Sequence, residues 1–510
     1  MKRLFNNSLI TFIDYVVLIG LNLVATPLLI ENFGVDGYGA FVFLSIFSIY
    51  GALAVFDLGM EGALMNYIAR FHAAGERLKM HATLTVSIIY YAVIGALLGL
   101  AIYFGSNLLA DRLLDNEASI APAILKNAIT VVAINIFFQF LSIPVTASLQ
   151  GMRRYVATKG VNSITNVIRY MLLVAVALMY QRIDIGFLVV LCLTLIRFGI
   201  LGYILLRRMP DFVGWHPRLD LSLFRTLFSY SAILFVTRVI GLVHNQSPKI
   251  LIWYFLPVAS MTIYDIVARP AMLLRVIMGV IVSALIPEAA QLHEQGKLEE
   301  IRKLYLNLIR YAYLIMLPML AILFAHINDL IRFWVGQQFE AHAQLALILL
   351  GGYLILPVSA VANTMVVGLE KVRQTIWIPI VGTTLNLLLS ATMLYFIGLP
   401  GLLLGALASQ IFTVVPYARF MGRFLGFTTM DLVGPVLPVF AAAIVSFGLN
   451  WAAALMLDEQ LLGLAVVVLV TGAANLLVNL RFLLRPNERQ FLAERLRRFR
   501  DKLSPDVIRG

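Results

Sequence analysis

Seven Lys and Arg residues stand inside segments that otherwise have the composition of membrane-spanning helices. A cation at the centre of such a helix costs about 2.5–3.5 kcal/mol on insertion scales, so a chain does not place several of them against lipid. We therefore expect most of them to face a water-filled cavity, and a cationic cavity indicates an anionic cargo. The seven cations are Arg169, Arg197, Arg238, Lys249, Arg269, Arg275 and Arg310.

Four of these cations, all of them arginines, are candidate substrate-binding residues. Arg169, Arg238 and Arg275 have no acidic residue within four positions along the chain. Arg269 follows Asp265 by four residues, so it either pairs with that carboxylate or joins the other three in the cavity. The remaining cations stand close enough to helix ends to reach the membrane surface or to pair with acids.

Amide side chains recur at helical spacing and are expected to line the same cavity, because lipid cannot satisfy their hydrogen bonds. Asn162, Asn166 and Arg169 follow one another at intervals of four and three residues, which places them on one face of a helix. The candidate cavity amides are Asn22, Asn162, Asn166, Asn245 and Asn386.

Acidic residues inside apolar segments have two interpretations. Asp57 and Glu61 are one helical turn apart, whereas Asp14 and Asp265 belong to other segments. An intramembrane carboxylate either binds a coupling H+ or Na+ or pairs with one of the cations. The sequence leaves both interpretations open, and it predicts no organic cofactor and no metal centre.

The composition predicts an all-α membrane protein with many spans. Of 510 residues, 61% are hydrophobic and 13% are charged, and apolar runs of about 20 residues recur along the chain. Fourteen helices with both termini in the cytoplasm place most Lys and Arg on the inner side. The net charge of +12 therefore reflects topology, and no nucleic-acid partner is expected. The predicted helices are residues 8–30, 39–69, 81–109, 122–149, 157–180, 184–206, 222–251, 259–287, 304–325, 341–368, 373–396, 400–419, 432–456 and 460–481.

Two parts of the chain resemble each other, which predicts an internal repeat. Ala63–Glu76 match Ala284–Lys297 at an offset of 221, and Gly151 matches Gly368 at an offset of 217. Six helices per copy make the repeat parallel. The predicted organisation is an N-lobe (1–206), a cytoplasmic linker (207–221), a C-lobe (222–425), two further helices (426–484) and a basic amphipathic tail (485–510) suited to the membrane surface.

Motifs of soluble and membrane enzymes are missing from the sequence. The chain contains no Walker A loop, no HExxH pair and no GxSxG elbow. Its single cysteine, Cys192, excludes an internal disulfide and a cysteine-based metal cluster. A function other than catalysis is therefore predicted.

Three segments resemble the multidrug/oligosaccharidyl-lipid/polysaccharide exporter superfamily, and more narrowly its polysaccharide transporter branch, which includes the O-antigen flippases. The segments are Phe33–Phe41 (FGVDGYGAF), Phe56–Leu64 (FDLGMEGAL) and Leu149–Arg154 (LQGMRR). The resemblance covers essentially the whole chain and implies two six-helix lobes around a central cavity.

The resemblance also implies a cargo and a route. The cargo is a polyprenyl-pyrophosphate-linked oligosaccharide, such as an O-antigen or other surface polysaccharide unit. It is flipped by alternating access from the cytoplasmic to the outer face of the bacterial inner membrane. The implied partners are this anionic lipid-linked glycan, membrane lipid, a polysaccharide polymerase and chain-length regulator proteins. Two alternatives stay open: an ion-coupled multidrug antiporter of the same superfamily, and a non-transporting scaffold of a glycan-assembly complex.

Overall fold

A computed structural model describes residues 2–49, 51–114, 120–209, 211–212, 217, 220–283, 285–456 and 470–473. The predicted tail (485–510) and nearly all of the predicted fourteenth helix (460–481) lie outside these residues. Within them the chain is helical and contains no β-strand. The all-α fold class that the sequence predicts is therefore confirmed for the part of the chain that the structure describes.

Eighteen α-helices follow one another along the described chain. The first nine are α1 (Lys2–Leu44), α2 (Met60–Ala74), α3 (Arg77–Phe104), α4 (Ser106–Leu113), α5 (Pro122–Gly151), α6 (Tyr155–Tyr180), α7 (Ile183–Tyr203), α8 (Leu221–Phe255) and α9 (Ala259–Ser283). The others are α10 (Leu285–Glu294), α11 (Leu298–Val335), α12 (Gln344–Gly352), α13 (Leu356–Gly368), α14 (Val372–Thr375), α15 (Trp377–Ile397), α16 (Leu399–Leu425), α17 (Thr429–Val433) and α18 (Leu437–Met456).

The predicted helix over 39–69 is wrong, because the chain breaks between α1 and α2. A 3-10 helix, Ala52–Asp57, follows the turn after α1, and Leu58 and Gly59 then adopt left-handed conformations (φ 50° and 78°). Gly51 packs against the carbonyl oxygen of Ile46 so closely that a side chain would collide with it. The apolar composition of this segment concealed the break, since it continues on both sides of the turn.

The predicted helix over 341–368 is likewise two helices. α12 and α13 meet at a bend of 41°, and Pro357 stands in the first turn of α13. Proline is well tolerated at that position because its missing N–H would have no partner in the helix. Pro357 therefore begins α13 immediately after the bend that separates the two helices.

The described residues contain eight helices that are long and apolar enough to cross a membrane, or nine if α12 and α13 form one bent span. These helices confirm a multi-pass membrane protein. The total of fourteen spans stays a prediction, as does the placement of both termini in the cytoplasm.

The chain divides into two compact units. The first takes in Met1–Ile266 and Thr383–Ala406, and the second takes in Val267–Gly382 and Leu407–Gly510. In the first unit α5 packs on both α3 and α7, and α1 packs on α6. In the second unit α11 packs on α13 and α18. The lobe boundaries that the sequence analysis places at 206 and 222 stay a prediction.

The repeat reappears as the same close packing in each unit. A Cβ atom on Gly151 would lie 2.7 Å from the carbonyl oxygen of Met65, and one on Gly368 would lie 2.8 Å from that of Ile286. Met65 and Ile286 are 221 positions apart, which is the offset found in the sequence. Both glycines therefore allow a later helix, α5 or α13, to touch the backbone of α2 or α10.

The two units are also similar in how they hold the segment that follows each copy of the repeat. In the first unit the His81 ring lies 2.7 Å from the carbonyl oxygen of Asp211. In the second unit Arg302, which is His81 plus 221, donates to the Asp431 carboxylate at 3.1 Å. Hydrogen bonds from the Thr428 backbone N–H and hydroxyl, with Arg302, lower the pKa of Asp431. Each unit thus fixes this segment to its α3 or α11 helix.

Candidate functional site

Two of the predicted cavity residues, Asn22 and Arg169, meet through a tyrosine. Asn22 on α1 donates to the hydroxyl of Tyr170 on α6 at 2.6 Å. The Arg169 guanidinium carbon lies 5.1 Å from the centre of the Tyr170 ring, a distance at which the ring face attracts a cation. Arg169 is only half-buried, so part of this side chain stays accessible beside the ring.

A second group of contacts extends this polar region along α1. Tyr38 donates to the Asp265 carboxylate at 2.8 Å, and its hydroxyl oxygen lies 3.5 Å from that of Thr26. Thr262, one turn before Asp265, donates to the carbonyl oxygen of Val35 at 2.6 Å. Asp265 is 4% exposed, so the hydroxyl of Tyr38 compensates for part of the cost of burying this carboxylate.

Tyr38→Phe is expected to lower stability by about 1–3 kcal/mol, because a buried carboxylate loses a hydrogen-bond donor. The measurement is the thermal unfolding midpoint of the purified protein in detergent. Tyr180→Phe is the matched control, since Tyr180 is 54% exposed. An equal midpoint for Tyr38→Phe and the control would contradict a structural role for the Tyr38–Asp265 bond.

The remaining predicted amides differ in their surroundings. Asn162 and Asn166 are half-buried on α6, and the Oδ1 atom of Asn162 has no hydrogen-bond partner among the described residues. Asn245 is exposed and donates to the carbonyl oxygen of Gly241 at 2.8 Å, whereas Asn386 is 3% exposed. The α6 face that carries Asn162, Asn166 and Arg169 is therefore the predicted stripe best suited to contact a polar ligand.

The second unit holds the predicted cations Arg269 and Arg275, both on α9. Arg275 is exposed and donates a hydrogen bond to the hydroxyl of Tyr353. Tyr353 stands at the bend between α12 and α13, where its ring is buried. Arg269 is half-buried. The side chains of two other candidates, Arg238 and Asp14, lie outside the described residues.

The predicted acid Asp57 is buried in the first unit. It is 3% exposed, and its Oδ1 atom accepts from the Tyr91 hydroxyl and, at 3.1 Å, from the backbone N–H of Glu61. Neither donor removes the negative charge of Asp57. Asp57 and Glu61 both line one small cavity.

Tyrosines are the site residues that the sequence analysis missed. Tyr38, Tyr91, Tyr170 and Tyr353 each contact a candidate residue. The chain contains 20 tyrosines, and their spacing does not distinguish these four. The available signals were that Tyr170 follows Arg169 directly and that Tyr38 lies within the FGVDGYGAF segment.

A family model described as "Polysaccharide biosynthesis protein" matches residues 73–344, more than half of the chain. The chain belongs to this polysaccharide biosynthesis family. The match includes α6 with Arg169 and α9 with Arg275. No curated protein matches the chain in sequence.

Solved structures share the fold of this family member. One titled "Lipid II flippase MurJ, inward closed conformation" has a TM-score of 0.71 at 15% identity and covers 94% of this chain and 100% of that chain. An inward-facing multidrug resistance MATE transporter of the MOP superfamily has a TM-score of 0.66 at 13% identity, with 80% and 96% covered. A MOP superfamily transporter from Pyrococcus furiosus, whose title reports reversed polarity of its binding pocket, has a TM-score of 0.50 at 14% identity, with 82% and 95% covered. The predicted superfamily fold is confirmed.

Proposed function

We propose that this protein flips a polyprenyl-pyrophosphate-linked oligosaccharide from the cytoplasmic to the outer face of the membrane by alternating access. The observation that carries the proposal is the exposed Arg275 in the apolar second half of α9, in a member of a polysaccharide biosynthesis family. Arginine binds phosphate oxygens in a planar, two-point geometry and stays charged at every physiological pH. A pyrophosphate on a lipid carrier is an anion of matching chemistry.

The polar stripe on α6 supports the glycan part of the proposal. Asn162 and Asn166 offer amide donors and acceptors along the face that also carries Arg169. Sugar hydroxyls need such partners when they leave water, because an unpaired hydroxyl costs free energy in an apolar region. The polyprenyl chain needs no polar partner and stays in lipid while the head crosses.

The location that follows from this function is the bacterial inner membrane, with both termini in the cytoplasm. The inner-face excess of Lys and Arg supports this orientation. A polysaccharide polymerase and chain-length regulator proteins are the expected partners, because they act on the glycan after it reaches the outer face. Surface polysaccharide of the O-antigen type is the proposed product.

The rival function is an ion-coupled multidrug antiporter. Its cationic substrates favour an acidic cavity, whereas Arg169 and Arg275 offer positive charge to a ligand. A non-transporting scaffold of a glycan-assembly complex has no need for accessible intramembrane arginines, which are costly in lipid. The cations therefore favour the anionic cargo over both alternatives.

Cells that lack the protein are expected to accumulate lipid-linked glycan on the cytoplasmic face of the membrane. The measurement compares lectin access to the glycan in spheroplasts and in inverted membrane vesicles, with and without a plasmid that restores the wild-type chain. Normal outward delivery in the deletion strain, with no second transporter present, would overturn the flippase proposal. Unchanged glycan but increased drug sensitivity would favour the antiporter.

A further inference from the structure

The bend between α12 and α13 (351–355) consists of tight backbone turns within an otherwise helical segment. The backbone N–H groups of Tyr353, Leu354 and Ile355 each donate to a carbonyl oxygen three residues earlier, at 2.9, 3.1 and 3.2 Å. Two glycines begin this stretch, and a proline follows it. A run of three-residue turns between two helical segments, beside glycine and proline, is typical of a hinge.

Side chains from three other helices hold three successive residues of the bend, one residue each. The donors lie on α9, α11 and α16, and all the residues concerned belong to the second unit. The contacts are Gln410 to the carbonyl oxygen of Gly352 at 3.0 Å, Arg275 to the hydroxyl of Tyr353, and Tyr313 to the carbonyl oxygen of Leu354 at 2.9 Å. The angle between α12 and α13 therefore depends on contacts with all three neighbours.

The contact at Tyr353 differs from the other two in its donor. Gln410 and Tyr313 are neutral side chains that hold backbone carbonyl oxygens. Arg275 is an exposed cation, and the proposed function assigns it to the pyrophosphate. Phosphate oxygens are charged acceptors, which bind a guanidinium more strongly than a neutral phenol does. Because a two-point contact with phosphate fixes the plane of the guanidinium, an anion competes with the Tyr353 hydroxyl for Arg275.

Tyr353 connects a change at Arg275 to the backbone. Its side chain is 6% exposed, and a buried hydroxyl that loses a hydrogen-bond partner costs free energy. The ring is attached in the middle of the bend, between the two residues that Gln410 and Tyr313 hold. Loss of the Arg275 contact therefore favours a different angle at the bend.

We propose that the bend (351–355) is a hinge controlled by Arg275, and that Tyr353 is its positioning residue. Arg275 holds the Tyr353 hydroxyl when no anion is bound and holds phosphate oxygens when the lipid-linked cargo is bound. This exchange of partners changes the angle between α12 and α13. The identity of the anion rests on the proposed function. Binding of the cargo head is thereby coupled to movement of a helix, which alternating access requires.

The test measures hydrogen–deuterium exchange at the bend by mass spectrometry, in the purified full-length protein in detergent at constant pH and ionic strength. Inorganic pyrophosphate is the probe, and the thermal unfolding midpoint of the same samples reports its binding. Pyrophosphate is expected to raise the exchange rate of the bend amides about tenfold, the increase that corresponds to one lost hydrogen bond. Arg275→Ala is expected to show the raised rate without pyrophosphate and no further response.

Tyr353→Phe separates a positioning role from a packing role, because it keeps the ring and removes only the hydroxyl. Exchange at the bend is expected to be raised without the probe. The apparent affinity for pyrophosphate is expected to increase about fivefold, since Arg275 no longer has to leave a partner when the anion binds. Tighter anion binding together with slower glycan delivery is a combination that a loss of stability alone does not produce.

Tyr417→Phe is the matched control for Tyr353→Phe. Tyr417 on α16 is 4% exposed, and it donates to the Oδ1 atom of Asn363 on α13 at 2.9 Å. It therefore also holds α13 through a buried tyrosine hydroxyl, but outside the bend. Its substitution should leave exchange at the bend and the response to pyrophosphate as in the wild type. A control that raises exchange at the bend as much as Tyr353→Phe would overturn the role of Tyr353.

The hinge and the proposed function fail in different ways. If pyrophosphate raises the midpoint of the wild type but not of Arg275→Ala, and exchange at the bend stays constant, the hinge is overturned and the proposed function stands. Wild-type exchange at the bend in Arg275→Ala would also overturn the hinge. If pyrophosphate leaves the midpoint unchanged and the deletion strain delivers glycan normally, the proposed function fails and the hinge fails with it.

Discussion

Replacing Arg275 by alanine is expected to reduce outward delivery of the lipid-linked glycan about 10- to 150-fold. A charge-assisted hydrogen bond to an anion contributes about 1.5–3 kcal/mol, and each 1.4 kcal/mol is a factor of ten. The side chain is exposed and held at Tyr353, so its removal disturbs little of the core. The measurement is the initial rate at which glycan becomes accessible to lectin outside spheroplasts.

Three further variants separate phosphate binding from general loss of charge. Arg275→Lys keeps the charge but loses the planar two-point geometry, so an intermediate rate is expected. Tyr353→Phe removes only the hydroxyl partner and is expected to cause a smaller decrease. Arg419→Ala, at another exposed arginine of the same unit, is the control and should leave the rate unchanged. Equal rates for Arg275→Ala and Arg419→Ala would contradict a substrate role for Arg275.

Replacing Gly151 by alanine is expected to destabilise the protein by about 1–3 kcal/mol, the usual cost of overfilling a packed core. The new Cβ would lie 2.7 Å from the carbonyl oxygen of Met65 and 3.1 Å from the Cβ of Ile68. Both neighbours are backbone or branched groups that cannot rotate away. The measurement is the thermal unfolding midpoint in detergent together with the yield of folded protein.

The repeat predicts that Gly368→Ala will have a similar effect. Its Cβ would lie 2.8 Å from the carbonyl oxygen of Ile286 and 3.0 Å from the Cβ of Ala289. Gly160→Ala is the matched control, because no heavy atom lies within 4 Å of a Cβ at that position of α6. There the substitution should be neutral or slightly stabilising, since alanine favours a helix by roughly 0.5–1 kcal/mol. A control as unstable as Gly151→Ala would mean that packing at Met65 is not the cause.

Helix content and membrane class were predictable from the sequence because they depend on local composition. An apolar run of about 20 residues forms a spanning helix wherever it occurs in a chain. α5, α6 and α7 begin and end within a few residues of the predicted helices. The predicted helix over 39–69 failed because both arms of the turn at Gly51 are apolar, and hydropathy carries no information about a backbone reversal inside an apolar run.

The repeat was detectable in the sequence because the helix contacts that recur in both copies require small residues at fixed positions. Gly151 and Gly368 must lack a side chain for a helix to touch a neighbouring backbone, and this requirement restricts the residue type. The glycine at each of these two positions therefore indicates the helix contact directly in the sequence. The arginines and acids are different, because the same residue type serves a cavity, an ion pair or a hydrogen bond to tyrosine.

The sequence by itself determined that this chain is an all-α membrane protein with an internal repeat and intramembrane charges. Tertiary structure alone decided the partners of three of those charges: Tyr353 for Arg275, Tyr38 for Asp265 and Tyr91 for Asp57. Hydropathy and helical spacing depend only on residues that are close together in the sequence, so both can be determined without the tertiary structure. A hydrogen bond between helices that are 34 to 227 positions apart depends on how the helices pack, which is determined by the whole fold.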